Sequence, residues 1–286
     1  MFTSYLTSSV VEKAVCAALE EDTGSGDLTA LLVPEGLVQA ALITREDGVL
    51  CGQAWFEATF RRLDPHCEIQ WHAQDSDRVS AGMTLCELSG DARALLTGER
   101  TALNFVQVLS GTATAARRYA DRITHTKTRI LDTRKTLPGL RLAQKYAALC
   151  GGCQNHRLGL YDGVLIKENH IAAAGSIVAA LRHAQKIAQG KLVEIEVETL
   201  AELDQALAAG ATRILLDNFS VPDLRLAVAR SQGRAQLEAS GGITLDALAA
   251  VAETGVDFIS IGDITKNVRA LDLSLRFTGS ASAGRG

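Results

Sequence analysis

From about residue 120 onward, the sequence repeats one unit: a short apolar run rich in β-branched residues, a polar residue at its end, and an alanine-rich stretch with helical periodicity. The apolar runs cover residues 129–135, 163–167, 192–198, 213–217, 235–240 and 257–262, and the helical stretches cover 139–149, 176–189, 200–209, 222–231 and 244–254. Alternating strands and helices predict a parallel sheet with right-handed crossovers. The spacing fits both a β/α barrel and an open doubly wound sheet.

The polar residues at the strand ends favour the barrel. They are Lys135, Lys167, Glu196 or Glu198, Asp217, Ser240 and Gly262. In a barrel these residues would ring one mouth, where barrel enzymes place their active sites, whereas an open sheet gathers fewer strand ends in one crevice. We therefore predict an α/β protein whose catalytic domain, residues 116–270, is an open, incomplete β/α barrel of about six or seven parallel strands. We expect the segment from about 270 to 286 to pack back on the preceding domain.

The amino-terminal part, residues 1–115, has a different pattern. Residues 37–52 and 67–88 read as antiparallel strands with turns, residues 53–62 as a short helix, and residues 91–120 as a long helical stretch. This order predicts an α+β sandwich domain.

The composition argues against two classes of partner. The 286-residue chain has a formal net charge of −4 and a pI near 5.9, and binding to nucleic acid needs a basic face. The amino terminus lacks the basic start and unbroken apolar stretch of a secretion signal, and no run approaches the roughly 18 apolar residues that span a bilayer. We expect a cytoplasmic protein without nucleic-acid or membrane partners.

Cys150 and Cys153 form a C-x-x-C pattern, which occurs in redox and zinc sites. The six cysteines include no second such pair to complete a zinc site. We therefore interpret these two as small residues at a helix end beside glycines, and we predict no direct protein ligand for a metal there.

A cation-rich segment marks the predicted binding site. Residues 132–171 contain Arg134 with Lys135, His156 with Arg157, and Lys167, each close to a strand end or in a glycine-rich turn. Arginine grips a carboxylate with two parallel hydrogen bonds, and lysine supplies a compact charge. Because grouped cations repel one another unless an anion lies among them, the segment predicts a pocket for a small ligand with several negative charges.

Acidic side chains follow on the later strands. Glu194, Glu196 and Glu198 alternate along one strand and face one side of it, and Asp217 ends the next strand. Such carboxylates indicate a site for Mg²⁺ or for ribose hydroxyl groups, because both are bound by oxygen. Spacing alone does not choose between Glu196 and Glu198.

Two glycine turns come after the last two strands. Ser240–Gly242 and Gly262–Thr265 each precede a predicted helix. Backbone N–H groups at such positions bind phosphate, and the last two loops of β/α barrels commonly hold one. The pair therefore predicts a phosphate site.

The motifs that carry these residues resemble those of the quinolinate phosphoribosyltransferase family, and the resemblance covers nearly the whole chain. They lie at residues 20–29, 98–104, 132–141, 155–160, 165–171, 216–219, 240–242 and 253–257. The resemblance implies transfer of a phosphoribosyl group from phosphoribosyl pyrophosphate (PRPP) to quinolinate. The products would be nicotinate mononucleotide, pyrophosphate and CO₂, and Mg²⁺ would accompany PRPP.

The resemblance also implies roles for individual residues. Those implied for quinolinate are Arg100, Thr133, Arg134, Lys135, His156, Arg157 and Lys167. Those implied for PRPP are Glu196, Asp217, Ser240, Gly241, Gly242, Ile261, Gly262 and Asp263, which favours Glu196 over Glu198. Lys135, Glu196 and Asp217 are implied as catalytic, with Mg²⁺ near the two acids. A homodimer or a dimer-based hexamer is implied, in which Arg100 reaches the site of a neighbouring subunit.

Two residues depart from the family pattern: Cys153 stands where many relatives have glycine, and Asp263 stands where a small residue is frequent. Three other functions stay open from the residues alone. One is a phosphoribosyltransferase with a different acceptor, such as nicotinate. Another is an aldolase that forms a Schiff base on Lys167. The third is a metabolite-sensing module without activity.

Overall fold

The computed structural model describes residues 4–280, which the intrachain contacts divide into two units. The helices are α1 (Ser8–Thr23), α2 (Gln53–Leu63), α3 (Ala92–Arg122), α4 (Arg141–Cys150), α5 (Glu168–Ala174), α6 (Ile177–Ala188), α7 (Leu200–Ala208), α8 (Val221–Ser231), α9 (Leu248–Ala252) and α10 (Asp263–Lys266). The strands are β1 (Leu37–Thr44), β2 (Gly48–Val49), β3 (Glu68–Trp71), β4 (Arg78–Val79), β5 (Thr84–Asp91), β6 (Arg129–Leu131), β7 (Gly163–Ile166), β8 (Leu192–Val197), β9 (Arg213–Asp217), β10 (Gln236–Ser240), β11 (Phe258–Ser260) and β12 (Leu273–Ser280).

The first unit contains residues 4–117, 137–151 and 267–280 and is built on an antiparallel sheet. Its strands lie in the order β12–β1–β5–β3, and their apolar side chains pack with Phe56 and Phe60 of α2. Strand β12 comes from the segment predicted at 270–286, of which 281–286 lie outside the described residues. Helix α4 also belongs to this unit, although its sequence lies between two strands of the parallel sheet.

The second unit contains residues 118–136 and 152–266 and holds the parallel sheet that the repeated units predicted. Six strands lie in the order β6–β11–β10–β9–β8–β7, and each neighbouring pair is parallel. Within the described residues, β6 and β7 are the two edges of this sheet, so the barrel is open. The predicted fold class, an α+β domain with an incomplete β/α barrel, is therefore confirmed. Because the strands run the same way, their carboxyl ends share one edge.

Local sequence sets where several helices begin. Ser176, Thr199 and Ser220 precede α6, α7 and α8, and each side-chain oxygen accepts a backbone N–H from the first turn. These helices begin within one residue of the predicted positions. Helix α9 differs, because it begins at Leu248 rather than at 244, so the turn Ser240–Gly242 does not lead directly into a helix. None of the described helices is both long and apolar enough to cross a bilayer.

Candidate active site

The carboxyl edge of the parallel sheet carries most of the predicted site residues. In chain order they are Thr133, Arg134 and Lys135 after β6, Lys167 after β7, Glu196 in β8, Asp217 at the end of β9, Ser240 at the end of β10 with Gly241 and Gly242 after it, and Ile261, Gly262 and Asp263 after β11. The strand order makes Asp217 and Ser240 direct neighbours in the register of β9 and β10. Residues that are far apart in the sequence thus lie along one edge.

Lys135 lies where the ends of β6 and β11 meet. The Thr265 hydroxyl donates a hydrogen bond of 2.8 Å to the Lys135 carbonyl oxygen, and the Lys135 N–H donates to Thr133 Oγ1 at 3.1 Å. A methyl group at Gly262 would lie 3.1 Å from Lys135 Cδ, so glycine at this position leaves room for the lysine side chain. The two loops therefore hold the backbone of Lys135. The residue as a whole is exposed to solvent.

Lys167 and Glu196 form an ion pair across the neighbouring strands β7 and β8. The Lys167 Nζ lies 2.6 Å from Glu196 Oε2. The Lys167 side chain is 44% exposed and that of Glu196 only 11%, so the carboxylate lies inside the edge and the ammonium group faces outward. A cation predicted to bind quinolinate and an acid predicted to bind PRPP are thus in direct contact.

Asp217 and the glycine turn after β10 are joined through Asn218. Asn218 Nδ2 donates to Asp217 Oδ2 at 2.7 Å, and the Asn218 N–H donates to the Ser240 carbonyl oxygen at 2.9 Å. Gly241 packs so closely that a methyl group there would lie 2.8 Å from the Asn218 backbone nitrogen. Its φ of +105° also disfavours any residue with a side chain. The turn therefore requires glycine at position 241.

The loop with His156 and Arg157 is anchored by Asp132, which is fully buried. Asp132 Oδ1 accepts the His156 N–H at 2.9 Å, and Oδ2 accepts Asn155 Nδ2 at 2.6 Å. The Arg157 guanidinium donates to the Gly163 carbonyl oxygen at 3.2 Å. Asp132 was not predicted as a site residue. The available signal was that Asp132 directly follows an apolar strand run, where its carboxylate is buried. A buried carboxylate needs hydrogen-bond donors from nearby residues.

Arg157 lies in a positively charged environment. Partial burial lowers the pKa of its guanidinium, and the charge of Arg134 lowers it further, while Glu194 and Asp162 oppose these effects. Arg134 and Arg157 are both partly buried. Two guanidinium groups whose charges repel at a partly buried position form a favourable place for an anion.

His156 contacts a buried ionic cluster that the sequence did not predict. The cluster consists of Glu194 on β8, Arg213 on β9 and Glu238 on β10. Arg213 Nε lies 3.1 Å from Glu194 Oε1, and another guanidinium nitrogen lies 2.9 Å from Glu238 Oε2. His156 Nε2 lies 2.9 Å from Glu194 Oε2. The signal in the sequence was a charged residue at the start of one apolar strand run, Arg213, and inside two others, Glu194 and Glu238.

The two glutamates of this cluster differ in acidity. Burial would raise the pKa of Glu194, but hydrogen bonds from His156 and Arg213, together with the charge of Arg213, outweigh it, so its pKa lies below the ordinary value. Burial and the charge of Glu194 raise the pKa of Glu238 to about 7, despite the nearby charge of Arg213. Near neutral pH the cluster therefore gains or loses a proton at Glu238.

Two groups of side chains within the described residues have the composition of a metal site. Cys51, Asp75 and Cys150 form one, and His156 with the two cluster glutamates forms the other. In the first, the Asp75 carboxylate already accepts the Tyr146 hydroxyl at 2.8 Å. In the second, Arg213 binds both carboxylates. Neither group includes Glu196 or Asp217, the acids predicted near Mg²⁺.

The other predicted charges lie in varied environments. Arg100 is an exposed residue of α3 in the first unit. The sequence predicts a surface or helix-packing charge at Lys145 of α4, and this residue is fully buried. Asp263 is exposed and accepts the Tyr119 hydroxyl at 3.5 Å.

Family models match almost the whole chain. The model of the quinolinate phosphoribosyl transferase N-terminal domain matches residues 27–110, and that of the C-terminal domain matches residues 112–276. The chain belongs to the quinolinate phosphoribosyltransferase family. The resemblance inferred from the sequence motifs is thereby confirmed, and the second family domain coincides with most of the region that carries the parallel sheet.

Individual members of this family are similar over most of their length. The probable nicotinate-nucleotide pyrophosphorylase [carboxylating] of Bacillus subtilis is 42% identical over 260 residues, which cover 90% of each chain. The chloroplastic nicotinate-nucleotide pyrophosphorylase [carboxylating] of Arabidopsis thaliana is 41% identical and covers 91% of this chain and 80% of its own. The solved structure of the Francisella tularensis nicotinate-nucleotide pyrophosphorylase has a TM-score of 0.93 at 48% identity, covering 96% of this chain and 98% of its own.

Membership of the quinolinate phosphoribosyltransferase family argues against the alternatives of an aldolase and of a sensing module.

Proposed function

We propose that the protein transfers the phosphoribosyl group of PRPP to quinolinate and releases pyrophosphate and CO₂, which gives nicotinate mononucleotide for the biosynthesis of NAD. The observation that carries this proposal is the shared edge of the parallel sheet, where cations suited to a dicarboxylate lie beside acids and a glycine turn suited to a sugar phosphate. The names of the relatives support the same reaction.

Quinolinate has two neighbouring carboxylates, and we assign them to the cations of the edge. Arg134, Arg157 and Lys167 supply the charges, and Thr133 and His156 lie on the same loops. Binding two carboxylates relieves the repulsion that lowers the pKa of Arg157. With the ring held in this way, its nitrogen points at the anomeric carbon of PRPP, and such orientation supplies a large part of the rate enhancement.

We assign PRPP to the opposite part of the edge. The turn Ser240–Gly242 and residues 261–263 would donate backbone N–H groups to phosphate oxygens. Glu196 and Asp217 would lie near the ribose and near Mg²⁺, which typically uses one or two carboxylates together with substrate phosphates. Both side chains are partly accessible, and oxygen donors fit this ion. When bound, Mg²⁺ would neutralise charge on the pyrophosphate leaving group.

The chemistry follows from this placement. As the bond from the anomeric carbon to pyrophosphate breaks, the ribose ring gains positive charge, which the carboxylates of Glu196 and Asp217 stabilise. The ring nitrogen forms the new bond and becomes positively charged. The neighbouring carboxylate then leaves as CO₂, and the electron pair that it leaves on the ring is stabilised by the ring nitrogen and by the ammonium group of Lys135 before a proton replaces it.

The site also needs Arg100, in our proposal from another subunit of a homodimer or of a dimer-based hexamer. Arg100 is exposed on a long helix, so it is available to a neighbouring chain. The reaction uses soluble metabolites, and we propose that it takes place in the cytoplasm.

A comparison of acceptors tests the proposed function. The purified protein is incubated with PRPP and Mg²⁺ and with quinolinate, nicotinate or phthalate in turn, and nucleotide formation is followed by chromatography. We expect turnover with quinolinate alone, because only this compound has both the dicarboxylate and the ring nitrogen. Turnover of nicotinate without turnover of quinolinate would refute the proposal.

A further inference from the structure

The buried ionic cluster, defined as Glu194, Arg213 and Glu238, links three neighbouring strands beneath the carboxyl edge. The two glutamates are 1% and 0% exposed at their side chains, and Arg213 is 9% exposed. The Arg213 guanidinium also lies 3.6 Å from the ring centre of Phe258 on β11. Two carboxylates and one aromatic ring therefore contact this guanidinium group, and these contacts from several strands fix its position.

Stability alone is a weak reason for such a cluster. Moving carboxylates and a guanidinium group out of water has a large unfavourable free energy, and apolar side chains of similar volume often stabilise a core equally well. The interior of a β/α barrel is ordinarily filled by branched apolar side chains. Charged residues at three adjacent interior positions therefore indicate a further role.

The role follows from the contact with His156. Its Nε2 lies 2.9 Å from Glu194 Oε2 and 3.6 Å from Glu238 Oε1. Its Nδ1 accepts the Arg157 N–H at 2.7 Å, so Nδ1 carries no proton and Nε2 is the donor. The ring thus connects the buried cluster on one side with the backbone of Arg157 on the other.

We propose that Glu194, Arg213 and Glu238 are positioning residues, which fix the ring of His156 and, through it, the backbone of Arg157 for binding of the pyridine dicarboxylate. The inference rests on the proposed function, because it concerns the same substrate. The Asp132 side chain holds the loop by accepting the His156 backbone N–H. The cluster fixes the orientation of the His156 ring and the position of the proton on its Nε2. None of the three residues needs to touch the substrate in order to act in this way.

The charge of the cluster should make the binding of quinolinate depend on pH. Glu238 faces Glu194 from β8, Arg213 from β9 and His156 from the loop before β7. When Glu238 is protonated, the charges of Glu194 and Arg213 balance. When Glu238 ionises, an additional negative charge lies beneath a site for a dianion. Because this charge is buried, dissolved ions screen it only weakly. Quinolinate should therefore bind less tightly above neutral pH.

Binding of quinolinate alone, measured by calorimetry, tests the positioning role without PRPP. In Arg213→Lys the two-pronged contact with both glutamates is lost, and we expect Kd to rise about tenfold or more. The matched control is Arg230→Lys, which changes an exposed pair with Asp204 on the outer helices and should leave Kd as in the parent. A folded Arg213→Lys variant with the Kd of the parent would refute the positioning role.

The variant Glu238→Gln tests the same proposal if Arg213→Lys does not fold. Glutamine has the shape of the protonated glutamate and does not ionise. Between about pH 6 and 8.5 we expect the Kd of the parent to rise several-fold and that of Glu238→Gln to stay flat. The same inflection in both proteins would contradict the proposal.

Nitrogen NMR of histidine-labelled protein separates this inference from the proposed function, since it needs no substrate. The His156 signal is assigned by its loss in His156→Gln. We expect a proton on Nε2 in the parent and a changed tautomer or a broadened signal in Arg213→Lys. If the parent failed to bind quinolinate, the proposed function would fail, whereas an unchanged His156 signal in Arg213→Lys would overturn the positioning role.

Discussion

The ammonium group of Lys167 lies 2.6 Å from the carboxylate of Glu196. Glu196 lies in β8 and Lys167 directly follows the neighbouring strand β7, and our proposal assigns them to different substrates. The pair keeps both charges compensated in the free protein. Under this proposal, a dicarboxylate that binds Lys167 would compete with Glu196 and release the glutamate for the ribose or for Mg²⁺.

Replacement of Glu196 with glutamine separates these two roles. We expect kcat to fall by a factor of about 10² to 10³, because a charge that stabilises the ribose is lost. Quinolinate should bind at least as well as before, since Lys167 loses its competitor. Glu198→Gln is the matched control, because Glu198 lies just beyond the same strand and is exposed. Steady-state kinetics in both substrates and calorimetry measure the two effects. An equal loss of kcat in both variants would contradict the assignment to Glu196.

Replacement of Gly241 with alanine should disrupt the proposed phosphate turn. The added methyl group would collide with Asn218, whose side chain binds Asp217, and the backbone has a φ of +105°. Gly233→Ala is the control, since Gly233 also has a positive φ but its surroundings are open. Both variants should lose about 1 kcal/mol of unfolding free energy from the backbone. Only Gly241→Ala should also show a raised KM for PRPP, and the same KM in both would count against a role for this turn.

The stability of the parent should fall as pH rises from about 4.5 to about 7, through the titration of Glu238. The pKa of Glu238 is raised in the folded state to about 7, from an ordinary value of 4.5, so the folded protein holds this proton more tightly than the unfolded chain. The stabilisation is fully present below about pH 4.5 and is lost progressively up to about pH 7, by on the order of 3 kcal/mol at most. Denaturant unfolding of the parent and of Glu238→Gln across this range measures the difference. The free energy of unfolding of the variant should decline less, and parallel curves would show that Glu238 does not titrate there.

Mixed oligomers test whether Arg100 acts in a neighbouring subunit. Arg100→Ala and Lys135→Ala should each be nearly inactive alone. When the two chains are coexpressed, a mixed dimer would contain one site with both residues intact, so we expect partial recovery of activity. Coexpression of Lys135→Ala with Lys167→Ala is the control, because both residues lie on one chain's sheet and every mixed site lacks one of them. If the first mixture stays as inactive as the control, a role of Arg100 in trans is refuted.

Much of the fold followed from periodicity. Strand runs and capped helices repeat at close range, so local sequence was enough to predict the parallel sheet and the bounds of α6 to α8 within a residue or two. Helix α9 was placed too early, because Ser240–Gly242 looks like a helix start while the chain forms a turn around Asn218 instead. Close packing between loops is not visible in local sequence.

The sequence predicted the candidate site residues at the strand ends, but it did not predict the buried residues beneath them. Lys167 and Glu196 stood out because polar residues end apolar runs. Arg213 begins such a run and Glu238 lies inside one, and the residues they bind are 19 to 25 positions away in the sequence. A single charged residue in a strand run is usually exposed, so only the register of β8, β9 and β10 shows that three of them meet in the interior.

The central claim is that this protein couples phosphoribosyl transfer to decarboxylation. Quinolinate labelled with ¹⁴C in the carboxylate next to the ring nitrogen tests it most directly, with trapped ¹⁴CO₂ measured against pyrophosphate. We predict one ¹⁴CO₂ per pyrophosphate, only when PRPP and Mg²⁺ are both present. Release of pyrophosphate without labelled CO₂, or labelled CO₂ without PRPP, would contradict the account.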